Sequence, residues 1–154
     1  MNKYITVKDN TEEIELDILP QEHAFKLKLI DLLNDSSYKI IKSLDTYCSI
    51  DFCIINTRNL KTIYLEHKER NLTSNKYKST IINKCKLESY KNNYPKTLMC
   101  WSYKSNALKF VQYREDFLNN PSRYIKNQEV IFIDNNLLTD GYEELIKTIK
   151  NNLK

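Results

Sequence analysis

The chain has 154 residues, 41% of them hydrophobic, and a formal net charge of +4, which predicts a single globular domain over residues 1–154. The only glycine, Gly141, excludes the glycine-rich phosphate loops of P-loop and Rossmann proteins. No apolar run is long enough to cross a membrane, and the first residues lack the apolar core of a signal peptide. We therefore expect a soluble intracellular protein of the cytoplasm or nucleus, with a viral or mobile-element source left open.

The predicted elements begin with a short alternating strand around residues 14–18, followed by a helix that starts at Pro20 and ends near residues 34–36. A second helix is predicted over about 79–92. Asp140 and Glu143 resemble a capping box that would begin a third helix. Between the helices, six spans show a strand pattern: 38–44, 49–56, 61–70, 97–103, 107–113 and 129–133.

This order of elements predicts the fold class. It favours an α/β fold in which a central mixed β-sheet is flanked by helices. The core would span about residues 20–113, and a C-terminal strand and helix would lie within 129–153. The strands at 49–56 and 61–70 are joined by a four-residue connection, which predicts a hairpin.

The hairpin brings charged residues together on one face. If it turns about Arg58-Asn59, residues face each other when their numbers sum to 117, and Asp51 lies opposite Glu66. Lys68 is two residues beyond Glu66 and shares its face. A slip of one residue would separate this group. The other face would carry the apolar residues Ile50, Phe52, Ile54, Ile63 and Leu65.

Two opposed carboxylates repel each other, and a divalent cation between them relieves the repulsion. Mg²⁺ suits this position because it prefers oxygen ligands. Asp51 and Glu66 are therefore candidate metal ligands, and the backbone carbonyl of His67 is a third. Lys68 would orient the attacking water, take part in its activation, or offset negative charge on the pentavalent transition state. The alternative is a plain ion pair between Glu66 and Lys68.

Asp51 at the start of one strand, with Glu66-His67-Lys68 late in the next, resembles the motif of the PD-(D/E)XK nuclease superfamily. The resemblance covers about two thirds of the chain and implies a restriction-endonuclease-like core. It implies that Asp51 and Glu66 bind Mg²⁺, with Mn²⁺ as a substitute, and that Lys68 is the catalytic lysine. Two positions depart from the family pattern: Ile50 replaces a frequent proline, and His67 stands where an apolar residue is usual.

Four further residues are weaker candidates. Glu22, in the first turn of the first helix, either contacts the metal through water or is a carboxylate favoured by the helix dipole. Lys84 and Lys86 are candidates for nucleic-acid binding, or they belong to a solvated lysine face. Arg70 either reaches a phosphate or forms a surface ion pair. Three aromatic residues of the later strands would stack on bases or, as we expect, pack in the core; they are Trp101, Tyr103 and Tyr113.

These residues predict a metal-dependent nuclease, and hydrolysis of DNA is the first hypothesis. The choices between DNA and RNA and between endonuclease and exonuclease action stay open at this point. A catalytically inactive nucleic-acid-binding module of the same fold is the second hypothesis. An interaction protein without a nucleic-acid role is the third, and the absence of salt-sensitive DNA binding would favour it. We expect no membrane partner, and a homodimer or membership of a larger complex stays open.

Overall fold

The computed structural model describes residues 4–7, 13–17, 20–43 and 50–154. Three α-helices lie within these ranges: α1 (Pro20–Leu33), α2 (Lys84–Asn93) and α3 (Tyr142–Asn152). Helix α1 begins at Pro20 as predicted, because the fixed φ of proline suits a first helical position. None of the described helices is long and apolar enough to span a membrane.

The strands form three sheets. Their bounds are β1 (Tyr4–Val7), β2 (Glu13–Asp17), β3 (Tyr38–Lys42), β4 (Phe52–Asn56), β5 (Thr62–Glu69), β6 (Ser79–Asn83), β7 (Thr97–Ser102), β8 (Leu108–Gln112), β9 (Ser122–Ile125), β10 (Gln128–Asp134) and β11 (Thr139–Asp140). The central sheet has the order β11-β8-β7-β5-β4-β3. Its β5–β7 pair is parallel and its other pairs are antiparallel, so the prediction of a mixed sheet is confirmed. A small sheet has the order β6-β10-β9, and β1 pairs with β2.

Two predictions about where helices begin were wrong. Residues 79–83 form strand β6 rather than the first turns of a helix, since β6 pairs with β10 over its whole length. The predicted capping box at Asp140 and Glu143 does not form either. Asp140 belongs to β11, and Gly141 occupies the N-cap of α3 without a side-chain hydrogen bond. Its φ of 96° lies in the region that glycine adopts without steric cost.

Each face of the central sheet carries its own apolar cluster. Helices α1 and α3 pack on one face, where Phe52, Ile54, Ile63 and Leu65 are buried as predicted. Helix α2 and the small sheet supply the other cluster, which contains Trp101 and Tyr113. Ile50 also lies in that second cluster, contrary to prediction. It precedes the start of β4, so the alternation of strand side chains does not extend to it.

The hairpin of β4 and β5 is fastened to the last helix. The side-chain amide of Asn56 donates to the Leu153 carbonyl at 2.8 Å, and that of Asn59 donates to the same oxygen at 3.0 Å. Leu153 itself is fully buried. These contacts fix one end of the hairpin and leave its other end to the charged residues described below.

Two leucines of this hairpin provide a test of the packing. Leu65 is fully buried, whereas Leu60 is 75% exposed. We expect Leu65→Ala to lower the free energy of unfolding by about 2–5 kcal/mol, because it leaves a cavity between α1 and the sheet. Leu60→Ala should change it by less than about 0.5 kcal/mol. Urea unfolding followed by circular dichroism would measure both, and equal losses would contradict the described packing.

Candidate active site

Asp51 and Glu66 lie near each other at the start of β4, beside the neighbouring strand β5. The β4–β5 ladder pairs Phe52 with Leu65 and Ile54 with Ile63, which confirms the predicted sum of 117. The ladder ends one pair short of Asp51 and Glu66. The amide N–H of Asp51 donates to the Leu65 carbonyl at 2.9 Å, and one Asp51 carboxylate oxygen accepts from the His67 N–H at 2.8 Å.

Glu66 is buried in the sheet and surrounded by two ammonium groups. It is 2% exposed, and its Oε1 accepts from Lys86 of α2 and lies 3.5 Å from the Lys68 Nζ. Burial lowers the pKa of Lys68, and the neighbouring charge of Lys86 adds to this. Burial also opposes the charge of Lys86, but attraction and hydrogen bonding to Glu66 outweigh it and raise its pKa.

Glu22 and Lys42 complete the charged group on the α1 side. The Lys42 Nζ lies 3.2 Å from Glu22 Oε2 and 3.5 Å from Asp51 Oδ1. Burial raises the pKa of Glu22, and the nearby negative charge of Asp51 raises it further. The N-terminal turn of α1 therefore brings Glu22 to the same end of the hairpin as Asp51.

The electrostatics of Glu66 disfavour its charged form even beside two ammonium groups. Burial raises the pKa of Glu66 to about 7, and repulsion from Asp51 contributes to the rise, although Lys86 and Lys68 act against it. Its second oxygen, Oε2, is buried without a hydrogen-bond partner among the described residues. A buried carboxylate oxygen with no partner loses its hydration without compensation.

The donor set fits a magnesium ion. Within the described ranges, no three His, Cys, Asp or Glu side chains converge to form a metal site alone. Mg²⁺, however, is commonly held by one or two carboxylates, with water completing its shell. The N–H and C=O of one residue point to the same side of a strand, so the His67 carbonyl faces the side of Asp51. Asp51, Glu66 and this carbonyl would hold the ion.

The His67 side chain lies on the opposite face of β5. Its ring stacks on Phe25 of α1 with a centroid separation of 4.0 Å, and its Nε2 lies 2.7 Å from the Ser102 hydroxyl. Burial lowers the pKa of His67 to about 4, so the ring is neutral at neutral pH. This direction follows from the alternation of side chains along β5, which places His67 on the face opposite Glu66 and Lys68.

The three candidates for nucleic-acid binding occupy different places. Lys86 contacts Glu66, as described above. Lys84 pairs with Glu129 of β10 at 3.4 Å rather than with Asp51 or Glu66. Arg70 follows β5 and donates to the Ile81 carbonyl at 3.5 Å, beside the small sheet.

Lys42 is the member of this group that sequence reasoning missed. It pairs with Phe52 in the β3–β4 ladder, one residue from Asp51. The strand around residue 40 was predicted, but its register against β4 was not, and only that register places Lys42 beside Asp51. The contact between Lys86 and Glu66 was missed for a similar reason, because the packing of α2 on the sheet is tertiary.

Comparison with known proteins gives matches in structure but not in sequence. No family model matches the chain, and no curated protein is similar to it in sequence. A Holliday junction resolvase from Archaeoglobus fulgidus superposes with a TM-score of 0.50 and 13% identity, over 82% of this chain and 96% of that one. A nuclease from a fusselovirus superposes with a TM-score of 0.57 and 14% identity, over 88% and 96%.

At such low identities the similarity concerns the fold, and it matches the six-stranded mixed sheet and flanking helices described above. The chain therefore shares the fold of these two solved structures.

Proposed function

We propose that this protein is a metal-dependent nuclease that hydrolyses phosphodiester bonds in DNA. The observation that carries the proposal is the convergence of Asp51, Glu66 and Lys68 at one end of the β4–β5 hairpin. The resolvase and nuclease with the same fold support it. Mg²⁺ is the proposed cofactor, and Mn²⁺ is expected to replace it.

Each side chain has a distinct role in this proposal. Asp51 and Glu66 would hold the cation, which when bound would supply stabilisation of the negative charge of the phosphodiester. Lys68 is 43% exposed at its side chain, so its ammonium can contact both Glu66 and a phosphate. The Lys68 ammonium orients the attacking water and offsets the negative charge that develops in the transition state. Lys86 and Lys42 hold the carboxylates in place.

The experiment that tests this function compares several DNA substrates. Purified protein would be mixed with single-stranded, nicked, branched and linear duplex DNA, in Mg²⁺, Mn²⁺ or EDTA. Cleavage of at least one substrate in either metal, and of none in EDTA, is the expected result. A folded protein that cuts nothing in both metals would overturn the enzyme proposal.

A catalytically inactive nucleic-acid-binding module is the second candidate. The pairing of Glu66 with Lys86 and of Asp51 with Lys42 favours it, because internal ion pairs stabilise these carboxylates without a metal. Such a module would bind DNA in a salt-dependent way. It would keep that binding after Asp51→Asn, and it would show no cleavage.

Metal binding can also be measured without any cleavage. At a Mg²⁺ concentration one hundred times its Kd, we expect the wild type to gain about 2.7 kcal/mol in the free energy of unfolding. Asp51→Asn should remove most of this gain because it removes one ionic ligand. Asp31→Asn, at an exposed position of α1, is the matched control and should keep it. Urea unfolding with Mg²⁺ or EDTA would show whether the two variants differ.

A further inference from the structure

A pocket of about 370 Å³ lies between the small sheet and the loop that follows β5. Two arginines, three aromatic side chains and one amide dominate its lining. We call it the aromatic pocket and define it by Arg70, Tyr77, Tyr103, Arg123, Phe132 and Asn135. The candidate active site does not use Tyr77, Arg123 or Asn135, so the pocket requires an explanation of its own.

The aromatic pocket is continuous with the candidate active site. A second pocket of about 250 Å³ is lined by Lys68 and Lys86, and it shares Arg70, Ile81 and Ile125 with the aromatic pocket. Lys68 and Arg70 are two positions apart along an extended chain, so their Cα atoms are about 6.6 Å apart. A nucleic-acid strand rises about 3.4 Å per nucleotide. A nucleotide in the aromatic pocket would therefore be within a few positions of the phosphate that Lys68 contacts.

The charge of this groove suits a polyanion. Five cationic side chains line the two pockets, and among the described lining residues there is no carboxylate; the cations are Lys68, Arg70, Lys86, Arg123 and Lys126. A phosphate backbone complements such a lining.

The aromatic rings of the pocket suit a nucleobase. Tyr77 is 58% exposed, so its ring is accessible for stacking on a base. The guanidinium of Arg123 lies over the Phe132 ring at 5.5 Å, which holds this cation at the pocket wall. The Asn135 amide nitrogen lies 3.4 Å from the Ser74 carbonyl and also donates to the Tyr77 carbonyl.

The amide orientation of Asn135 limits its role in the pocket. Because its nitrogen faces two carbonyls, its Oδ1 must point elsewhere, and this oxygen is buried without a hydrogen-bond partner among the described residues. A buried oxygen is not accessible to a ligand, so Asn135 acts on the pocket by holding the Tyr77 backbone through its amide nitrogen.

The wall that carries Tyr77 is held in place before any ligand binds. The Asn135 N–H donates to the Lys78 carbonyl at 2.8 Å, and the Lys104 N–H donates to the Leu72 carbonyl at 3.1 Å. Together with the Asn135 amide, these bonds fasten the loop at both ends. A preformed wall reduces the entropy lost when a ligand is ordered.

We propose that the aromatic pocket binds one unpaired nucleotide of the strand being cut. The base stacks on Tyr77, whose loop is held in place by Asn135, while Arg70 and Arg123 bind the flanking phosphates. The inference rests on the proposed nuclease function and specifies its substrate class: DNA with an unpaired nucleotide close to the scissile bond. A fully paired base could enter only after leaving the duplex, which breaks its pairing and stacking.

Binding of a short single strand tests the pocket without cleavage. Fluorescently labelled hexathymidylate in EDTA would be titrated with the wild type, Tyr77→Ala, Tyr77→Phe and Tyr124→Ala. Tyr124 is 73% exposed and lies on β9 outside the lining of both pockets, which makes it the matched control. We expect Tyr77→Ala to weaken binding about tenfold, and Tyr77→Phe and Tyr124→Ala to leave it within twofold. Equal affinities for all four proteins would overturn the proposal.

The arginines are tested by salt dependence. Arg123→Ala should lower the slope of log K against log[salt] by about 0.7, since one phosphate contact on a single strand is lost. Arg58→Ala removes an exposed arginine at the opposite end of the hairpin and should leave the slope unchanged. Unchanged slopes in both variants would contradict phosphate binding by Arg123. Thermal unfolding of every variant checks that each one is folded.

Cleavage then separates this inference from the proposed function. Two duplexes would differ only in whether one nucleotide beside the cut is unpaired, and preference for the unpaired one that is lost in Tyr77→Ala supports the inference. If both duplexes are cut equally and Tyr77→Ala changes nothing, the pocket proposal fails while the nuclease function stands. If nothing is cut but hexathymidylate binding depends on Tyr77, the nuclease function fails while the pocket still binds a nucleotide.

Discussion

Asp51→Asn should lower the rate of DNA cleavage in Mg²⁺ by about a hundredfold or more. The proposed cation contributes several kcal/mol to the transition state, and neutral asparagine would hold it poorly. The fold should persist, because asparagine can still accept the hydrogen bond from the His67 N–H. Single-turnover cleavage at saturating enzyme would measure the rate.

The control for Asp51→Asn is Asp31→Asn, which changes the same charge at an exposed site on α1. It should cleave at the wild-type rate. Equal activity in the two variants would remove Asp51 from the proposed site, whereas equal loss would point to a general effect of charge on DNA binding. Circular dichroism spectra before and after the assay would confirm that both proteins are folded.

Lys68→Ala should also lower the cleavage rate by about a hundredfold, but for a different reason. The Lys68 ammonium group offsets negative charge of the transition state, and it does not bind the Mg²⁺ ion. Mg²⁺ should therefore still stabilise the folded protein in Lys68→Ala, unlike in Asp51→Asn. Lys39→Ala, at an exposed position of β3, is the matched control for lost positive charge. Normal cleavage by Lys68→Ala would assign the transition-state role to another cation, with Lys86 as the first candidate.

The parts of the fold that could be predicted from sequence are those with a local signal. The β4–β5 register followed from alternating residues and a short turn, and the structure reproduces it from Phe52 to Ile55. Helix α1 followed from Pro20 and from apolar residues at helical spacing. The proximity of Asp51, Glu66 and Lys68 depends only on these local features, so it could be predicted from the sequence.

The errors arose where distant residues decide the structure. The adjacent apolar pair Ile81 and Ile82 fits a helix or a buried strand equally well, and pairing with β10, about 50 positions later, selects the strand. The positions of Glu22, Lys42 and Lys86 at the site depend on how α1, β3 and α2 pack against the hairpin. No local sequence pattern encodes that packing. The N-terminal strand predicted around residues 14–18 lies partly outside the described residues, and β2 ends at Asp17.

The fastening of the hairpin to the last helix has a consequence for the order of synthesis. A ribosome makes Asn56 97 residues before Leu153, the acceptor of its amide. Until that residue emerges, the turn next to Asn59 lacks its acceptor, and the α3 side of the sheet is uncovered. Contacts of such long sequence separation form late because they close a large loop. A growing chain would therefore complete the packing around the hairpin that carries Asp51 and Glu66 only after Leu153 has emerged, and the pair of carboxylates would stay without its full support until then.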